Sequence, residues 1–174
     1  MDCLQAIASR RSVRKFGPQA VDEADLVRIL QAGCLAPSAG NRQPWYFIVV
    51  RDAQVRRQLQ AAALEQEVIG AAPVVVAVCA DPELSAARYG ERGRSLYCLL
   101  DCANATENML LAAHALGYGA CWVGAFQERA VAAVLALPQG FRVVALVPLG
   151  RPAESPPMPP RRRLEDVVRW ERWD

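Results

Sequence analysis

Lysine and histidine are almost missing from this chain. Of its 20 basic residues only Lys15 is a lysine, and His114 is the single histidine. One histidine excludes every zinc site that needs two, and it forces any Ser-His-Asp or Cys-His scheme through one residue. One lysine leaves a single candidate for Schiff-base or P-loop chemistry. The six cysteines, Cys3, Cys34, Cys79, Cys98, Cys102 and Cys121, form no C-x-x-C pair. A zinc ribbon, a thioredoxin motif and a ferredoxin-type cluster run are thereby excluded. Most of these cysteines lie in apolar stretches and read as small buried hydrophobes; Cys98 and Cys102, one helical turn apart, lack a third ligand and read as core. No G-x-G-x-x-G dinucleotide fingerprint occurs. No apolar run approaches the ~20 residues that cross a bilayer, and the amino terminus carries an acid where a signal peptide would be basic. The expectation is a chain without membrane association, in a reducing cytoplasm. Excess charge is also slight: 20 basic against 18 acidic residues leave a net charge of +2, with 22% charged residues, which argues against wholesale disorder and against a nucleic-acid partner.

What is present is apolar material. At 174 residues and 53% hydrophobic, the chain suits one domain, 1–174, with its own core. A short helix is predicted over 4–9, followed by a basic turn. Asp22 is the N-cap of a second helix, with Val21 and Leu26 at the staple positions. The breaker-rich stretch 36–44 must be a loop, and Trp45–Val50 reads as a buried strand. A helix over 54–67 leads to a strand over 73–80. Residues 83–94 are polar and read as a mobile cover near a site. A long helix over 95–116 is apolar around most of its circumference, so a partner subunit is the economical cover and a homodimer is inferred. A short strand over 120–123, a helix over 128–135 and a strand over 143–149 complete an α/β or α+β domain of three layers. The tail, 151–174, holds Pro152, Pro156, Pro157, Pro159 and Pro160, an extended arm of the kind that crosses to a second subunit.

Two basic clusters stand at opposite ends of the chain: Arg10, Arg11 and Arg14, with Ser12 between them, and Arg161, Arg162 and Arg163. A phosphate monoester, close to a dianion and rich in acceptors, suits forked guanidinium groups from both clusters plus a hydroxyl. In the loop Pro37-Ser38-Ala39-Gly40-Asn41-Arg42-Gln43-Pro44-Trp45, the side chains of Ser38, Asn41 and Gln43 offer donors and acceptors at short spacing, as the edge of a flat heteroaromatic ring requires. At Trp122-Val123-Gly124-Ala125-Phe126, backbone N–H groups of Gly124 and Ala125 can donate to a ring nitrogen without a clashing side chain.

These segments, together with Asn108-Met109-Leu110-Leu111-Ala112-Ala113 and Leu116-Gly117-Tyr118-Gly119, occur in the same order as in the nitroreductase family, which the chain resembles over essentially its whole length. The resemblance implies an α+β three-layer sandwich, with a central mostly antiparallel sheet flanked by helices. It also implies a homodimer with an exchanged C-terminal arm and one FMN at each of two interface sites. On the matching positions Arg10 and Ser12 would hold the FMN phosphate, with Arg11 also among the cofactor-binding residues and Arg161 or Arg162 completing the site. Arg14 would reach the pyrimidine edge, where a cation favours the reduced ring and raises its potential. From the other subunit Pro37, Ser38, Ala39 and Asn41 would line the ring, with Gln43 nearby, while Gly124 and Ala125 would face flavin N5. Family members often have proline where Arg163 stands, and many carry an asparagine or lysine in the region where this chain offers only Gln66.

The implied activity is ping-pong hydride transfer: NAD(P)H reduces flavin N5, leaves, and is replaced by a small-molecule electron acceptor such as a nitroaromatic or quinone. No side chain need be a nucleophile, in keeping with the poverty of histidine and lysine, and no metal is required. His114 reads as a packed or half-exposed helix residue. The alternatives are a family member that uses reduced flavin for dehalogenation or flavin breakdown, and a flavin-binding carrier or sensor without turnover.

Overall fold

The computed structural model describes residues 1–173; the last residue of the expected arm, Asp174, lies outside the described residues. Four strands, β1 (Trp45–Val50), β2 (Val74–Ala80), β3 (Gly119–Ala120) and β4 (Arg142–Gly150), form one sheet in the order β1-β2-β4-β3. Every neighbouring pair is antiparallel, with Trp45 opposite Ala80, Val76 opposite Val147 and Gly119 opposite Gly150. The central strand explains the layering. Val74, Val76, Val78 and Ala80 pack with Leu26, Ile29, Cys102, Ala105 and Met109 on one face. Val75, Ala77 and Cys79 pack with Leu59, Ile69 and Val131 on the other. A strand buried on both faces needs an unbroken apolar run, because alternate residues enter different cores. Each valine withdrawn from water in this way stabilises the fold by roughly 1.5–3 kcal/mol.

The helices supply those two covers. Helices α1 (Cys3–Ser9) and α2 (Glu23–Cys34) begin at Asp2 and Asp22, whose carboxylates accept from the N–H of Gln5 and Asp25. On the opposite side lie α3 (Ala53–Ala62), α4 (Glu67–Ala71) and, later in the chain, α7 (Glu128–Val134). Between β2 and β3 run α5 (Pro82–Arg92), one π-helical turn at Gly93–Tyr97 and α6 (Cys98–Ala115). α6 buries Cys98, Asp101, Cys102, Ala105, Thr106, Met109, Leu110 and Ala113, while Leu100 is left half exposed. The last helix, α8 (Leu164–Val167), is a single turn in the arm.

The α+β sandwich is as expected, but three elements differ from the sequence reading. The helix expected over 54–67 is broken: Leu64 and Glu65 both take positive φ of 57°, and the Glu65 N–H turns back to the Gln60 carbonyl at 3.0 Å. The break lets Leu59, Ala63, Val68 and Ile69 all enter the same core, which one straight helix could not arrange. Residues 83–94, expected as a mobile cover and assigned no helix, are mostly helical, with Asp81 as N-cap and Pro82 in the first turn. The strand expected over 120–123 shortens to Gly119–Ala120, followed by a single bridge from Val123 to Leu146.

Candidate functional site

The basic turn after α1 is trapped between β3 and the start of the C-terminal arm. Ser12 bridges to Ala120 in parallel, and the Val13 N–H donates to the Ala120 carbonyl at 3.0 Å. Gly119 permits this approach, since a Cβ on it would lie 2.6 Å from Val13 Cγ1. From the other side the arm pairs with residues 15–17. Ala153 N–H donates to the Lys15 carbonyl at 2.9 Å, Gly17 N–H to the Arg151 carbonyl at 2.8 Å, and Phe16 bridges to Pro152. The Glu154 carboxylate completes the junction, accepting from the N–H groups of Arg14 at 2.6 Å and Lys15 at 3.2 Å.

This junction brings the two distant arginine clusters together. A cleft of about 320 Å³ is lined by Arg10, Arg11, Ser12, Arg14, Pro156, Pro157, Pro159 and Arg161. Its cations are not all committed. Arg10 Nε is buried 3.4 Å from Glu107 Oε1 and makes no hydrogen bond among the described residues. Arg11 Nη1 donates to the carbonyls of Ala8 and Arg10, at 2.9 and 2.7 Å. Arg14 and Arg161 form no ion pair among the described residues. Arg162 lies outside the cleft and donates to the Asp166 carbonyl at 2.7 Å. Arg163 is occupied by Glu165 and Asp166.

Arg14 is also in the wall of a second cleft, of about 390 Å³, with Lys15, Gln66, Glu67, Val68, Cys121, Trp122 and Val123. Gln66, at the break between α3 and α4, donates through Nε2 to the carbonyls of Ala63 at 2.9 Å and Ala125 at 2.7 Å. That bond ties the segment 122–126 to the cleft. Gly124 and Ala125 are exposed, and among the described residues neither backbone N–H donates to an acceptor. Two clefts that meet at one arginine suit a ligand with an anionic end and a flat polar end.

The loop 37–45 lies elsewhere, for none of Pro37, Ser38, Ala39, Asn41 and Gln43 lines either cleft. It is stiffened internally. Gly40, Asn41 and Gln43 adopt positive φ of 54°, 54° and 49°. Ser38 Oγ accepts from the Gln43 N–H at 3.0 Å, and the Gln43 side chain donates to Asn41 Oδ1 at 3.1 Å. Asp101 of α6, a buried residue, accepts the Ala39 N–H at 3.0 Å, while its other oxygen has no partner among the described residues. Burial raises the Asp101 pKa above its usual 3.8, partly offset by that N–H.

Sequence reasoning missed Asp101 and Glu154. A carboxylate on a largely apolar helix was the only signal for the first; for the second, an acid beside the proline-rich arm. Among the described residues no group of three His, Cys, Asp or Glu side chains could hold a metal ion, and no helix is long and apolar enough to cross a membrane.

The model of the nitroreductase family matches residues 7–67 and 60–151, and the chain belongs to that family. Among relatives, a protein of Archaeoglobus fulgidus named "Putative NADH dehydrogenase/NAD(P)H nitroreductase" is 40% identical over 158 residues, covering 88% of this chain and 87% of its own. The NADH dehydrogenase of Thermus thermophilus is 34% identical over 197 residues, covering 98% of this chain and 96% of its own. Among solved structures, the NADPH:FMN oxidoreductase of Vibrio harveyi complexed with NAD+ superposes with a TM-score of 0.90 at 26% identity, over 98% of this chain and 77% of that one.

Proposed function

We propose that this chain is an NAD(P)H-dependent oxidoreductase that works through bound FMN as a single-domain protomer of a homodimer, reducing a small electron acceptor such as a nitroaromatic or quinone. The observation that carries the reading is the cleft shared by Arg10, Arg11, Ser12, Arg14 and Arg161, in which Arg14 and Arg161 form no ion pair among the described residues and the buried Arg10 Nε, ion-paired with Glu107 at 3.4 Å, makes no hydrogen bond. Concentrated uncompensated positive charge disfavours the empty state and favours an anion with several acceptor oxygens. The phosphate of FMN fits this donor set, and the second cleft, reached past Arg14, fits the flat ring. The names borne by the relatives, which cite NADH, NADPH and FMN, support the same chemistry.

FMN, when bound, supplies reversible hydride transfer at its N5 position. The chain's own residues bind and orient. Arg10, Ser12 and Arg161 would grip the phosphate. Arg14 would place positive charge at the pyrimidine edge of the ring, where it stabilises electron density gained by the ring. The free N–H groups of Gly124 and Ala125 would donate at the ring's edge, held in place by Gln66. The stiff loop 37–43 would cover the ring from the second copy, consistent with its absence from both clefts of the single chain, and the arm would cross between copies only beyond Arg161, since its first residues pair with 14–17 of their own chain.

The test is a titration of FMN into apoprotein followed by rapid mixing with NAD(P)H. Arg161→Ala is expected to weaken FMN by about tenfold or more, the value of one charge-assisted contact. Arg163→Ala, whose guanidinium is already held by acids, should not weaken it. The holoprotein should lose flavin absorbance on mixing and regain it with quinone. Turnover no faster than free FMN would favour the carrier or sensor reading.

A further inference from the structure

A second group of arginines stands against the loop 37–43, on the side of α5. A Cβ added to Gly40 would lie 2.6 Å from Tyr89 Oη, 3.1 Å from Arg88 Cδ and 3.2 Å from Arg88 Nη1. The side chains of Arg88 and Tyr89 therefore reach the loop at its left-handed glycine. Arg42, within the loop, reaches back through Nε to the Leu84 carbonyl at 2.8 Å, which leaves its two terminal nitrogens without a partner among the described residues. Arg92 donates to Tyr97 Oη at 2.9 Å, and Tyr97 meets Tyr89 edge to face at 5.2 Å between centroids.

The acids of this segment are spent on another arginine. Glu83 and Glu91 both pair with Arg94, and Arg42, Arg88 and Arg92 form no ion pair among the described residues. Arg42 and Arg88 are thus left without an acid beside the loop, and Arg92 is joined to them through Tyr97 and Tyr89. Their mutual repulsion is relieved by an anion, and their forked donors match phosphate oxygens.

We propose that Arg88, supported by Arg42 and Arg92, receives the phosphate groups of the dinucleotide electron donor, so that α5 sets how well the donor binds. The proposal rests on the reading above, in which the loop 37–43 lines the flavin ring. It also answers a gap in the sequence. The chain has no G-x-G-x-x-G turn of the dinucleotide-binding kind, and cationic side chains can supply a pyrophosphate contact in its place. The Arg10-to-Arg161 cleft is unavailable for this role once it holds the cofactor's own phosphate.

The experiment compares wild-type holoenzyme with Arg88→Ala and Arg88→Lys. Calorimetry gives the Kd of NAD+ and NADP+, and rapid mixing follows flavin bleaching by NADH, NADPH and N-benzyl-1,4-dihydronicotinamide, a donor without phosphates. Arg88→Ala should raise the Kd of the dinucleotides by about tenfold and lower kcat/KM with NADH and NADPH by a similar factor, but by less than about twofold with the phosphate-free donor. Arg88→Lys should recover part of the loss, because it restores charge without the fork. Equal losses with both kinds of donor, unchanged dinucleotide binding, or a defect confined to reoxidation by an anionic acceptor would each overturn the proposal. A wild-type holoenzyme bleached by none of the donors would overturn the underlying reading and the proposal with it.

Discussion

His114 shows how one residue's ionisation is tied to the arginines beside it. Ser9 Oγ donates its only proton to the Gln5 carbonyl at 2.6 Å, so the 2.7 Å contact with His114 Nε2 must be a donation from the ring. Burial, and then the charges of Arg10 and Arg11, hold the His114 pKa below its usual 6.5. Between that depressed value and 6.5 the unfolded chain binds a proton that the native chain does not, so stability rises with pH through this window and is lost as pH falls. His114→Gln removes the titration while keeping a donor. Urea unfolding at about pH 7 and about pH 5.5 should therefore show wild type losing more stability than the variant. Parallel losses would mean that His114 is not under this strain. The arginines responsible were legible in the sequence because they are clustered within five positions. Asp101 and Glu154 were not, because each acts by accepting backbone N–H groups from distant residues, a relation that no local spacing records.

Among elements, the junction between the basic turn and the arm decides whether there is a site at all. Its hydrogen bonds from Gly17 and Ala153, and those accepted by Glu154, hold Arg14 and Arg161 within one cleft. Glu154→Ala removes the acceptor for two exposed N–H groups and should cost about 0.5–1.5 kcal/mol of local stability. Faster hydrogen exchange at Arg14 and Lys15 and about tenfold weaker FMN binding are the expected signs. Glu154→Gln keeps an acceptor oxygen and removes a negative charge near the phosphate, so it should bind FMN at least as tightly as wild type. If both variants weaken FMN alike, the carboxylate acts through its charge and not by fixing the turn. The elements themselves were readable wherever the apolar run was strong, as in Trp45–Val50, whose bounds the structure reproduces, although this strand, expected to be buried, lies at the sheet edge with Tyr46 and Val49 exposed. The break at Leu64 and Glu65 was hidden because neither residue type favours positive φ; the core shared by α3 and α4 imposes it.

For the whole molecule, the single chain leaves large apolar side chains in water. Leu4, Leu35, Leu164, Trp170 and Trp173 are between 73% and 82% exposed, apolar area that association of two copies could withdraw from water. In the proposed assembly the same association that covers them also brings the loop 37–43 of one copy to the clefts of the other. Cofactor affinity and dimer affinity are then linked: anything that separates the copies removes the ring's cover and releases flavin. Dilution of the holoprotein should thus release FMN, read as rising free-flavin fluorescence, over the same protomer concentrations at which sedimentation shows dissociation. Replacing both arm tryptophans, Trp170→Ser and Trp173→Ser, should move that concentration up by about tenfold or more, since each buried indole contributes on the order of 1–3 kcal/mol to an interface. A protomer that sediments alone at every concentration and still holds FMN as tightly as the concentrated protein would refute assembly from two copies, and would confine the site to the two clefts joined at Arg14.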